Sequence, residues 1–191
     1  MQLSLRAVFA IIGLSMVVLL QWGSDGFTKN TVDVYGNPHF SKKAGIIFFK
    51  EIPFTGVAVE RFPNKKVARS IEYVQGIQHG VTKEYGFTGA IKHHWNYVNG
   101  LKHGLQQTWY LEGPKKTTQN FESGLLHGES TEWFISGQLF RKRTFDKGRE
   151  VAHKVHFSTG ELHTNYVKRD GATYGLKTGE LCMDFKDDGE L

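Results

Sequence analysis

A spacing of 24 residues recurs along most of this chain and limits what it can fold into. Aromatic residues stand at Phe49, Tyr73, Tyr97, Phe121 and Phe145, and glycines at Gly76, Gly100, Gly124 and Gly148, each 24 after the last. A second glycine column runs Gly56, Gly80, Gly104 and Gly128 and is broken by Ala152. A second aromatic column runs Tyr85, Trp109, Trp133 and Phe157. A third glycine column, Gly89, Gly113 and Gly137, continues to Gly160 after a step of 23, and Lys65 stands where an earlier member is expected. Gly171 and Gly175 then fall where a further Gly148/Ala152 pair belongs. A fixed period of this length reads as stacked copies of one unit, each stabilised by its neighbours.

One copy shows what the unit is. Between glycine turns lie segments such as Val81–Phe87 and Ala90–Tyr97, which have strand length and are too short for stable helices. Leu105, Trp109 and Leu111 fall on one face, with Gln106 and Thr108 on the other, the period of two that a half-buried strand requires. Each unit is therefore expected to be a β-hairpin whose glycines supply the positive φ of tight turns. The expected fold is all-β, an elongated antiparallel meander of tandem 24-residue hairpins. A single cysteine, Cys182, among 191 residues excludes an internal disulfide framework and the zinc motifs that need several thiolates.

The meander is expected over 49–175, after a lead-in segment at 27–48 and before a tail at 176–191. The first 26 residues read as a targeting segment: Arg6 precedes the uncharged, mostly apolar run Ala7–Leu20. As a helix of 14 residues that run spans about 21 Å, short of the ~30 Å hydrocarbon core, as in a secretory signal. Export with cleavage near Gly26 is expected, and an uncleaved N-terminal anchor is the alternative.

The copies YVQGIQHGVTKEYGFTG, YVNGLKHGLQQTWYLEG and FESGLLHGESTEWFISG resemble the MORN repeat variant. The upstream stretch from Gly45 to Gly56, ending in Pro-Phe-Thr-Gly, is similar to the opening of bacterial YwqK-like antitoxin components. The resemblance implies a hairpin array and, by family label, neutralisation of a cognate toxin.

Three groups of residues are candidates for contact with a partner. His79, His103 and His127 share one register position. Successive copies lie two strands, about 10 Å, apart, whereas the ligands of one metal each approach to about 2.0–2.1 Å, so these histidines cannot share an ion. Packing beside the glycine turn, with a hydrogen bond to backbone, is the expectation, and a pH-responsive contact surface is the alternative. Tyr85, Trp109 and Trp133 are the choice for an aromatic contact surface if one face stays open, against cross-strand packing within the sheet. Basic clusters containing Lys92, Lys116 and Arg141 would form a positive stripe for an acidic partner, anionic lipid or another polyanion, unless Glu60, Glu84, Glu112 and Glu132 dilute it.

The net charge of +5 comes without a nucleic-acid module, and no nucleic acid is expected as a partner. Serine-elbow, zinc-protease and phosphate-loop motifs are all missing, so no enzyme, cofactor or metal is expected. The expectation is an exported protein-binding scaffold; the alternatives are a toxin-neutralising binder and a module for anionic membrane surfaces.

Overall fold

A computed structural model describes residues 30–34, 36–177 and 180–186, with side-chain surroundings through residue 175. The expected leader at 1–26 lies outside the described residues. The lead-in holds β1 (Thr31–Asp33), β2 (Phe40–Lys43), β3 (Ile46–Phe49) and β4 (Ile52–Pro53). The first hairpins follow as β5 (Gly56–Arg61), β6 (Val67–Val74), β7 (Ile77–Tyr85), β8 (Ile91–Val98), β9 (Leu101–Lys102) and β10 (Gly104–Trp109). Then come β11 (Lys115–Glu122), β12 (Leu125–Trp133), β13 (Leu139–Asp146), β14 (Arg149–His156), β15 (Leu162–Arg169), β16 (Ala172–Lys177) and β17 (Glu180–Lys186). The fold is all-β: β5 to β17 form one antiparallel meander in sequence order, with β9 a side pairing on β8 and β1 added in parallel to β5. Residues 180–186, part of the expected tail, pair with β16 as its last strand.

Two kinds of turn explain two of the glycine columns. Along one edge of the sheet, two-residue loops have left-handed backbone at both central positions, with φ between +45° and +85° at Gln75-Gly76, Asn99-Gly100, Ser123-Gly124, Lys147-Gly148 and Asp170-Gly171. These are type I′ turns, whose twist matches that of the paired strands. Along the other edge, five-residue turns recur at 62–66, 86–90, 110–114, 134–138 and 157–161. In each, the first residue's N–H donates to the fifth carbonyl and the fourth N–H donates back to the first carbonyl. Lys65 takes the glycine-like conformation, φ +66°, in the first of them. Phe157 opens the last turn as Tyr110 and Phe134 open theirs, so register aligns it with those residues rather than with Trp133.

The remaining glycine column marks a β-bulge. On β7, His79, Gly80 and Val81 stand opposite the single residue Glu72, because Ile71 pairs with Thr82 and Tyr73 with Gln78. On β12, His127, Gly128 and Glu129 likewise stand opposite Asn120. Gly80 and Gly128 carry the positive φ (+92° and +78°) that such bulges need. On β14 only Val151 is extra, since Thr144 pairs with Ala152 and Phe145 with Glu150. The single 23-residue step is thus a bulge one residue shorter, and Ala152 is tolerated because its φ is not positive. Each bulge glycine also pairs on its far side with an aromatic residue: Gly80 with Tyr97, Gly104 with Phe121 and Gly128 with Phe145. Where the glycine becomes Ala152, the partner becomes Val167.

Bulges leave backbone groups without ladder partners, and a buried polar column runs beside them, in which Gln106 bonds backbone while Thr82 and Ser130 accept from the side-chain amides of Gln78 and Gln119. Thr82, Gln106 and Ser130, two residues after the bulge glycines, are 2%, 2% and 1% exposed. Gln106 accepts from Asn96 N and donates to the carbonyls of Asn96, His103 and Gly104 at 3.0–3.2 Å. The Glu72 carboxylate accepts from Val81 N at 3.1 Å in the preceding copy. The same column starts at Ala58, buried and apolar on β5, which lacks the preceding antiparallel strand against which β7, β12 and β14 bulge and pairs with parallel β1 instead.

The apolar core concentrates at the N-terminal end. β2, β3 and β4 form a separate three-stranded sheet that includes Phe49, whose spacing placed it in the array. Phe40, Phe49 and Phe54 meet with ring centroids 5.1–6.1 Å apart, and Phe54 also contacts Tyr73 of the long sheet at 6.2 Å. Ile47 N donates to Gly76 O and Gly76 N donates to Phe54 O, so this small sheet caps the first turn.

Gly76→Ala is expected to destabilise the protein far more than Gly124→Ala. Both positions have positive φ, but a Cβ at Gly76 would lie 2.5 Å from the Ile47 carbonyl oxygen, whereas at Gly124 it would meet only the Leu101 side chain at 3.4 Å. Urea unfolding should show a loss of about 1 kcal/mol for Gly124→Ala and several times that for Gly76→Ala.

Candidate partner-binding surface

The histidine column is built into the bulges. His79 Nδ1 accepts from Asn99 N at 3.4 Å, and His127 Nδ1 accepts from Lys147 N at 3.5 Å, so each imidazole holds the left-handed residue of the next type I′ turn. His103 is exposed, and its backbone N–H donates to Asn96 O. His127 also lies 3.8 Å from Glu122 and 3.6 Å from Asp146. Among the described residues, no group of three or more His, Cys, Asp or Glu side chains is placed to hold a metal.

The basic clusters lie on β6, β8, β11 and β13, which do not touch one another, because every second strand of a meander intervenes. Of the intervening strands, β7 and β12 carry a carboxylate at the matching height, Glu84 and Glu132, and β10 carries Thr108. Register produces one transverse row, Glu60–Arg69–Glu84–His93, which continues through Thr108 and Thr117 to Glu132 and Arg141. Arg69 stands between Glu60 at 3.7 Å and Glu84 at 3.8 Å, and Lys92 reaches Glu84 at 3.5 Å. Glu132 binds both Arg141 at 2.7 Å and Arg143 at 3.0 Å. Lys116 lies over the Tyr110 ring at 5.5 Å. Lys92, Lys116 and Arg141 are therefore each engaged within the sheet.

Tyr85, Trp109 and Trp133 are half-buried at the strand ends that lead into the five-residue turns. The Tyr110 hydroxyl donates to the Trp133 carbonyl at 2.9 Å, tying one copy to the next. Two residues further on, at the turn tips, stand Phe87, Leu111 and Ile135, exposed by 60%, 68% and 69%. They too are 24 residues apart. Sequence reasoning passed over this column because phenylalanine, leucine and isoleucine do not look like one conserved type, although the spacing was there. Successive tips are about 10 Å apart, two strand spacings. Lys65 and Lys66 lie in the first of the five-residue turns, and Lys115 and Lys116 follow the third. Glu112 and Glu161 lie in the third and last, and Glu84 and Glu132 stand two residues before the second and fourth. Lys66 Nζ donates to Thr88 O at 3.1 Å.

Burial favours the neutral form of two histidines of the sheet, His94 and His153. Burial lowers the His94 pKa, and neighbouring Lys83 lowers it further. Burial also lowers that of His153, against the attraction of Glu150 and with the help of Arg141 and Arg143. Burial raises the Glu84 pKa, but the His93 hydrogen bond and the charges of His93, Arg69 and Lys92 outweigh it and leave the carboxyl below its usual range. Tyr166, buried and hydrogen-bonded to Glu150, is pushed up to about 12.

No protein-family model matches the chain, and no curated protein matches it. Among solved structures, a crystal structure of accessory secretory protein 1,2 and 3 in Streptococcus pneumoniae is similar over 49% of this chain at 18% identity, with a TM-score of 0.30. This chain spans 18% of that one, and a likeness of that score carries no argument.

His94 and His153 bind a proton less readily in the fold than in the unfolded chain. Their contribution to stability is full above the unfolded histidine pKa, about 6.5, and is lost as the pH falls through it. Urea midpoints should therefore drop between pH 7.5 and 5.5, and the drop should shrink in the double variant His94→Gln, His153→Gln. An unchanged drop would place the effect on other groups.

Proposed function

We propose that this chain is an exported, non-enzymatic MORN-variant repeat protein that acts as a rigid protein-binding scaffold, docking its partner along the five-residue turns. The ridge of Phe87, Leu111 and Ile135 carries this reading. Single exposed apolar residues are ordinary on a protein surface, but a row of them at one position of successive copies is a patch of the kind that marks interaction sites. Behind the tips, Trp109 and Trp133 extend the apolar strip inward, and aromatic residues of this kind anchor interfaces. Internal pairing of Lys92 and Arg141 argues against a continuous polyanion-binding stripe. The apolar run Ala7–Leu20 supports export.

Photoreactive side chains at positions 87, 111 and 135, expressed in the native host, should each crosslink to one and the same protein, in good yield. Gln75, on the type I′ edge, should not. Identical products from both edges, or a second copy of this chain as the product, would contradict the reading.

A further inference from the structure

A cavity of about 260 Å³ lies where the three-stranded cap meets the long sheet. It is larger than the ~30 Å³ share of one water and just under the ~300–1,000 Å³ of sites for drug-sized ligands, so it fits a body of side-chain size. Its walls are apolar, from Phe40 and Ile47 on the cap and Ala58 and Ile71 on the long sheet, with Val34 completing them. Four polar residues share that lining: Ser41, Lys42, Glu60 and Tyr73.

Lys42, Glu60 and Tyr73 can act as a recognition set, because Lys42 shares the cavity face of β2 with Phe40, whereas the Ser41 side chain belongs to the opposite face with Phe48. Lys42 comes from the cap and Glu60 from the long sheet, and Glu60 pairs with Arg69 at 3.7 Å rather than with Lys42. Opposite charges thus line one apolar cavity from its two sides without closing on each other. Burial and the Glu60 carboxylate raise the Tyr73 pKa, with Arg69 opposing, which keeps its phenol a donor.

We propose that this cavity is a binding site for a free apolar α-amino acid. Its side chain fills the apolar space, its ammonium meets Glu60, and its carboxylate meets Lys42 and the Tyr73 hydroxyl. A purely apolar ligand would leave the polar lining unsatisfied, and a simple amine or acid would use only one of the two charges. The chemistry is distinct from that of the turn ridge, which lies on an edge of the sheet.

The test is calorimetric titration of the full chain with L-leucine and L-phenylalanine, beside the half-ligands 3-methylbutylamine and 4-methylpentanoate. At least one amino acid should bind with a dissociation constant of about 1 mM or tighter, and both half-ligands about tenfold more weakly or not at all. Glu60→Gln and Lys42→Met, at solvent-accessible positions, should each weaken binding about tenfold while melting as the parent does. Absence of binding by both amino acids, half-ligands that bind as well as they do, or indifference to both substitutions would each overturn the assignment.

Discussion

The architecture depends on how one type I′ turn is held by the copy before it. Gly76, Gly100, Gly124 and Gly148 donate their N–H groups to the carbonyls of Phe54, Gln78, Lys102 and Leu126, all at 2.7–2.9 Å. Donors and acceptors alike are spaced by 24 residues. The residue after each turn then covers the next: Ile77 packs on Gly100, Leu101 on Gly124 and Leu125 on Gly148. Glycine is needed there for positive φ, and the covering side chain lies at ordinary contact distance from where a Cβ would stand. Bulges, the histidine column and the buried Thr82–Gln106–Ser130 column follow from this stacking, because each turn must reach back past an intervening strand.

Charge follows from the same alternation. A meander sets strands of one copy beside strands of its neighbours, so the carboxylates of β7 and β12 fall beside the cations of β6, β8 and β13. Thr108 and Thr117 stand between the two groups. Glu84 and Glu132 each serve cations from adjoining strands, and these partly exposed pairs contribute modestly to stability. With Lys92, Arg141 and Arg143 paired inside the sheet face, the exposed apolar side chains of Phe87, Leu111 and Ile135 stand out at the turn tips.

Much of this was legible in the amino-acid sequence, because glycine columns report backbone conformation directly. Hairpins, turn positions and the strand character of each segment could be read at Gly76 or Gly89 without coordinates. The third dimension could not. Phe49 and Phe157 fit the 24-residue spacing in sequence, yet Phe49 belongs to the cap and Phe157 to the turn-opening column, because the spacing is blind to sheet boundaries and to the bulge that lost a residue. The pairing of Arg141 with Glu132 depends on register, which a one-residue bulge shifts. The ridge was hidden by its chemical variety, and the cavity joins residues from the lead-in and the first hairpin that share no pattern.

If copies interlock only with their neighbours, one whole copy is dispensable and a fraction of one is not. Removing residues 101–124 joins Gly100 to Leu125 and preserves every column, whereas removing the half-copy 113–124 takes out β11 and the turn after it and sets every later strand against its direction. The 24-residue deletion should yield a folded β-protein melting within about 10 °C of the parent, and the half-copy deletion should not fold. Equal loss of structure in both would contradict the nearest-neighbour stacking on which the fold and its surfaces are built.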